Sequence, residues 1–152
     1  MAPRIAEEIS KREMVINHVG IAVKSIAAAR TSYETLGLKI EREQVIPHEQ
    51  VKIAFVRIGE SLLELLEPTE ENSTIGRFLE SRGEGLHHLA LEADDIEATL
   101  QRLKNSGVRL VNENIQTGAD GHRYFFIHPT SSGGVLLEIV ERTEIAQLWK
   151  AR

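Results

Sequence analysis

At 152 residues with 41% hydrophobic content, the chain is long enough to bury a compact core. Its 18 basic and 23 acidic residues leave a formal charge of −5, and with no Lys/Arg block to follow a phosphate backbone, nucleic acid is excluded as the expected partner. Cysteine is absent, which excludes disulfides and thiolate metal sites and leaves imidazole and carboxylate to hold any metal.

Residues 1–14 are polar, with Ile5 and Ile9 four apart, and are expected to form an accessory helical extension. Glu7, Glu8 and Glu13 make this segment too acidic for a transit peptide, and no apolar run approaches a membrane span. A cytoplasmic protein with no membrane association is expected. From Val15 to Val23 β-branched residues predict a strand, and Ser25 is placed as the N-cap of a helix carrying Ile26, Ala29, Tyr33 and Leu36, closed by Gly37. Leu38 to Val45 returns to an extended pattern, broken at Pro47. Val51 to Ile58 and Ser61 to Leu66 predict two further strands around a Gly59-Glu60 turn.

Residues 69–84 read as a linker with one short helical pattern at Ile75, Phe78 and Leu79. The order then repeats. A strand at Leu86 to Glu92 leads to a helix that starts at Asp94-Asp95, shows Ile96, Leu100 and Leu103 on one face and ends at Gly107. Strands are predicted at Val108 to Asn112, Tyr124 to Ile127 and Val135 to Val140. Residues 143–152, with Ile145, Leu148 and Trp149, form a tail suited to a terminal helix.

The two halves match in register. His18-Val19-Gly20-Ile21 parallels His88-Leu89-Ala90-Leu91, Gly37-Leu38 parallels Gly107-Val108, and Leu62-Leu63-Glu64-Leu65 parallels Leu136-Leu137-Glu138-Ile139, at offsets of 70, 70 and 74 residues. Module 1 then spans 15–68 and module 2 spans 85–142, each of βαβββ order. A histidine on each first strand and a glutamate on each last strand are brought together if the modules are related by a two-fold axis. His18, Glu64, His88 and Glu138 would then form a site for Co²⁺, Ni²⁺, Mn²⁺ or Zn²⁺ with positions left for substrate oxygens. Glu64 and Glu138 each lie between apolar residues, and a buried carboxylate is costly unless it is paired.

His88 aligns with His18, and His87 with Asn17. Since neighbours on a strand point to opposite faces, His87 is expected to pack or support the site from outside it. Glu67 and Glu141 match as well, but at strand ends where solvated carboxylates are ordinary. Arg77, Arg82, Lys104 and Arg123 read as scattered surface charges.

The residues from about Ile16 to Glu141 resemble the vicinal oxygen chelate (glyoxalase/bleomycin resistance/dioxygenase) superfamily and, within it, the methylmalonyl-CoA epimerase family. The specific segments are Asn17 to Val23, Glu64-Leu65-Leu66-Glu67-Pro68, Gly83-Glu84-Gly85-Leu86-His87-His88, and His128-Pro129 followed by Gly133-Gly134-Val135-Leu136-Leu137-Glu138. The resemblance implies an α+β fold of two paired βαβββ modules in one domain over 15–142. Their cupped mixed sheet surrounds one divalent ion, with Co²⁺ favoured, in a homodimer. It implies metal ligands at His18, Glu64, His88 and Glu138, and an acyl-CoA substrate whose (R) and (S) forms interconvert through an enolate, with Glu138 as one acid/base.

Some members carry a second catalytic glutamate where this chain has Ile53, so the second proton carrier is open among Glu49, Lys52 and His122. Thr130, in place of a frequent basic residue, and Asp120-Gly121-His122-Arg123 also depart from the pattern. Glyoxalase I, which uses the same four ligand types on a glutathione hemithioacetal, is the alternative enzyme. A ring-cleaving dioxygenase would leave the fourth ligand unexplained, and a metal-free binding protein of the same fold would need neither glutamate.

Overall fold

The computed structural model describes residues 14–118 and 121–142. The expected N-terminal and C-terminal helices lie outside the described residues, as does Asp120. Among the described residues, eight strands and three α-helices follow the order β1 (Ile16–Ala22), α1 (Ile26–Thr35), β2 (Ile40–Ile46), β3 (Val51–Ile58), β4 (Ser61–Pro68), α2 (Thr74–Arg82), β5 (Gly85–Ala93), α3 (Ile96–Asn105), β6 (Gln116–Thr117), β7 (Arg123–Ile127) and β8 (Leu137–Glu141). Short 3₁₀ turns occupy Pro47–Glu49 and Pro129–Ser131.

The strands form one mixed sheet in the order β2-β3-β4-β1-β5-β8-β7-β6. β1 runs parallel to β4 and β5 parallel to β8, while β1 and β5 pair antiparallel at the centre. The second half of the sheet therefore repeats the first after a two-fold turn about the β1/β5 junction. The sheet is mixed and the helices lie against it, as the α+β expectation requires.

The alternation of each strand decides what faces the cup. Ala54, Val56 and Leu65 pack with Ile26, Ala29 and Tyr33 of α1, and Phe125, Ile127 and Ile139 pack with Ile96, Leu100 and Leu103 of α3. Residues one position along point the other way. Phe55, Leu62 and Leu66 form a third cluster with Ile75 of α2, and Glu64 and Glu138 fall on that inner face with them. Ser25 and Asp95 cap α1 and α3, accepting from the amides of Ala28 and Ala98 at 3.2 and 3.0 Å.

Two local expectations change. Val108 to Asn112 is not a strand: only a Leu110–Ile127 bridge forms. The Phe126 amide that a continuing ladder would use donates to the Asn112 side chain at 2.8 Å instead. The two-residue β6 was not expected.

Candidate metal centre

Register places the four candidates. On β1 and β4, Gly20 lies beside Glu64, and on β5 and β8 the equivalent Ala90 lies beside Glu138. Across the β1/β5 junction His18 faces Ala90 and His88 faces Gly20. The two histidines and two glutamates thus converge on the pseudo-two-fold axis. His18 Nε2 lies 2.9 Å from His88 Nε2, 3.3 Å from Glu64 Oε2 and 3.1 Å from Glu138 Oε2, and His88 Nε2 lies 3.0 Å from the same Glu138 oxygen. Ligand atoms of His18, Glu64 and His88 all fall within 4.8 Å of one another.

His18 and Glu138 are 3% and 6% exposed, too dry for unpaired charge. Burial by itself would raise the Glu138 pKa, but the adjoining His18 and His88 rings outweigh it and hold the carboxyl well below the usual range.

The outer nitrogens of both rings are held. Asn17 Oδ1 lies 2.7 Å from His18 Nδ1, and since an amide oxygen only accepts, the ring carries its hydrogen on Nδ1 and turns a bare Nε2 to the cluster. The amide is itself oriented: its Nδ2 donates to Glu92 Oε1 at 3.0 Å. Glu92, 4% exposed, accepts from Arg142 Nε at 2.8 Å, and Arg142 also donates to Asp94 at 2.7 Å. In the other module, His87 Nδ1 lies 2.9 Å from His88 Nδ1. Burial, and next the neighbouring His88, lowers the His87 pKa to about 4, so His87 is a neutral acceptor for the His88 Nδ1–H.

Simple strand alternation would turn Asn17 and His87 away from the cluster. The pairing steps from Ile16–Leu91 to His18–Ala90 and from Gly20–His88 to Ile21–Leu86, which leaves Asn17 and His87 as the extra residues of two β-bulges. The expectation for His87 is corrected on this point: it supports His88, as expected, yet lines the same cavity, because a bulge suspends the alternation. Phe78 packs edge-on against it at 4.9 Å.

This donor set fits a divalent cation. Two bare imidazole nitrogens at 2.9 Å repel unless a cation lies between them, and two inward carboxylates supply the opposing charge.

The cluster forms the floor of a cavity of about 760 Å³ walled by Ile53, Phe55, Leu62 and Phe126. Of the open proton-carrier candidates, Glu49 and His122 line it. Lys52 forms an ion pair with Glu43 at 3.0 Å and is not among the lining residues. Sequence reasoning did not find Tyr124, whose hydroxyl donates to Glu49 Oε1 at 2.9 Å, nor the Asn17–Glu92–Arg142 chain. The signal for the latter was a third glutamate in an apolar strand, Glu92 after Leu89-Ala90-Leu91. Glu67 accepts from the Ile26 amide at 3.1 Å and Glu141 from Arg123 at 2.7 Å, so the other matched carboxylates hold the frame.

A profile of the Glyoxalase/Bleomycin resistance protein/Dioxygenase superfamily matches residues 17–126. The chain is 37% identical over 127 residues to an ethylmalonyl-CoA/methylmalonyl-CoA epimerase of Cereibacter sphaeroides, covering 82% of this chain and 95% of that protein. It is 36% identical over 126 residues to the mitochondrial methylmalonyl-CoA epimerase of Homo sapiens, covering 82% and 72%. Among solved structures, a single-residue variant of Streptomyces coelicolor methylmalonyl-CoA epimerase in complex with 2-nitronate-propionyl-CoA superposes with a TM-score of 0.80 at 34% identity, covering 86% of this chain and 95% of that one.

Proposed function

The chain belongs to the Glyoxalase/Bleomycin resistance protein/Dioxygenase superfamily and, within it, to the methylmalonyl-CoA epimerase family, and from that premise we propose that it interconverts (R)- and (S)-methylmalonyl-CoA. The observation that carries this reading is the convergence of His18, Glu64, His88 and Glu138 at the floor of a cavity in a chain whose relatives bear that name. His18, Glu64, His88 and Glu138 would hold one divalent ion, Co²⁺ in this proposal, with Ni²⁺, Mn²⁺ and Zn²⁺ as the alternatives that imidazole and carboxylate donors also suit. When bound, the ion supplies Lewis-acid stabilisation for the charge of an enolate.

The protein's own groups do the rest. Phe55, Leu62 and Phe126 wall the cavity and exclude water from the reacting carbon. Glu138 moves the α-proton. Both of its imidazole contacts run to Oε2, so Oε1 is the oxygen left for proton transfer. A homodimer, carried from the family resemblance, and a cytoplasmic location belong to the same proposal; no helix among the described residues is long and apolar enough to cross a membrane.

The test is to load the protein with Co²⁺ and incubate it in D₂O with methylmalonyl-CoA. Deuterium at the α-carbon together with interconversion of epimers is expected. No exchange, with turnover of a methylglyoxal-glutathione hemithioacetal instead, overturns the proposal.

A further inference from the structure

We propose that Glu49, held in place by the Tyr124 hydroxyl, is the second proton carrier of this site, acting on the face of the substrate opposite Glu138. The inference rests on the epimerase reading and assigns the group that reading leaves open. Epimerisation requires proton transfer on both faces of a planar intermediate, so one carboxylate at the floor is insufficient.

Three carboxylates line the cavity among the described residues: Glu64 and Glu138 at the floor, and Glu49. Glu49 ends the 3₁₀ turn between β2 and β3, at one end of the sheet, whereas Tyr124 lies on β7 near the other end. Their 2.9 Å hydrogen bond spans 75 residues of sequence and closes the sheet around the cavity. Glu49 therefore reaches the cavity from a different element than the metal-site carboxylates of β4 and β8, with a side chain 30% exposed.

The turn that presents it is strained. Gln50, at φ 54°, is the one non-glycine residue with positive φ among the described residues, held by its amide to Pro47 O at 3.1 Å and by its carbonyl to the Thr69 amide at 2.9 Å.

The repeat shows why the tyrosine is there. Phe55 pairs with Glu64 and Phe126 with Glu138, so the residues two positions back, Ile53 and Tyr124, are equivalent and face the same cavity. Module 1 places hydrocarbon at this position, and module 2 places a phenol. Burial, then the nearby Glu49 charge, raises the Tyr124 pKa, so the phenol keeps its hydrogen and donates to the carboxylate. His122 stacks on Tyr124 at 6.4 Å, without a side-chain hydrogen bond to fix its ring among the described residues.

In one direction the Glu49 carboxylate takes the α-proton. The C–H electron pair moves into the thioester carbonyl to give the enolate, and protonated Glu138 returns a proton to the opposite face. In the other direction the roles exchange. With a side chain 30% exposed, Glu49 can trade its proton with solvent, which resets its own half of the pair, while the reverse reaction returns a proton to Glu138.

The experiment follows each epimer separately in D₂O with Co²⁺-loaded wild type, Glu49→Gln, Glu49→Asp and Tyr124→Phe, reading deuterium content and configuration. For Glu49→Gln, interconversion is expected to fall at least about 100-fold, while one epimer still gains deuterium with retention through Glu138. Glu49→Asp is expected to recover part of the interconversion. Tyr124→Phe, which removes only a positioning contact, should lower kcat about 10-fold with KM and Co²⁺ binding unchanged. Interconversion at the wild-type rate in Glu49→Gln, or equal loss of exchange from both epimers with Co²⁺ binding intact, overturns the assignment. Failure of the wild type to exchange either epimer overturns the epimerase reading itself and this assignment with it.

Discussion

Gly20 yields its side-chain space to His88. A methyl group built on Gly20 would overlap the His88 ring at Cε1, Nδ1 and Nε2, because the two residues are direct partners across the β1/β5 junction. Gly20→Ala is therefore expected to displace the His88 ring while leaving the strand pairing in place. Co²⁺ affinity measured by calorimetry should fall by at least about 10-fold. Unchanged affinity would mean that the ring has another position from which to reach the cluster.

Asn17 fixes the His18 tautomer through its 2.7 Å contact with Nδ1. An apolar replacement, Asn17→Leu, removes the acceptor and frees the ring to carry its hydrogen on the inner nitrogen. A loss of about 10- to 100-fold in Co²⁺ affinity is expected, checked by the same titration.

Arg142 neutralises a carboxylate buried away from bulk solvent: Glu92 lies 2.8 Å from Arg142 Nε and is 4% exposed. Arg142→Met leaves that charge buried and is expected to cost about 3 kcal/mol. For a chain of this length each kcal/mol lowers Tm by about 2–4 °C, so thermal unfolding should show a drop of several degrees. Adding Glu92→Gln to Arg142→Met removes the stranded charge and should recover part of the loss.

Metal removal gives an independent readout of the four-residue cluster. Treatment with a chelator should abolish α-proton exchange, and added Co²⁺ should restore it. If the ion binds only the folded chain, free Co²⁺ at 100 times its Kd adds about 2.7 kcal/mol of stability. Tm should therefore rise with Co²⁺ in the wild type and stay flat in His88→Ala. A rise of the same size in His88→Ala would remove His88 from the ligand set.

Much of the fold was legible because it is written in local periodicity. Leu62-Leu63-Glu64-Leu65 and Leu136-Leu137-Glu138-Ile139 alternate between a helix-facing and a cup-facing side, so the same pattern twice in register predicted two equivalent strands and an inward glutamate on each. Ser25 and Asp95 stood where caps are needed. Val108 to Asn112 misled because its β-branched composition satisfies a strand propensity, while the Asn112 side chain takes the Phe126 amide and stops the ladder after one bridge.

The sequence by itself determined the repeat and, through it, four residues that a two-fold relation would gather, because the same pattern of apolar and polar residues recurs in both halves. Tertiary structure decided what surrounds them. Whether Asn17 and His87 face the cluster depends on bulges that exist only in the pairing of β1 with β5. Glu49 meets Tyr124 only because an eight-stranded sheet curls until its two ends touch. Register slips and sheet curvature arise from contacts between segments about 70 residues apart, and no local pattern in either segment encodes them.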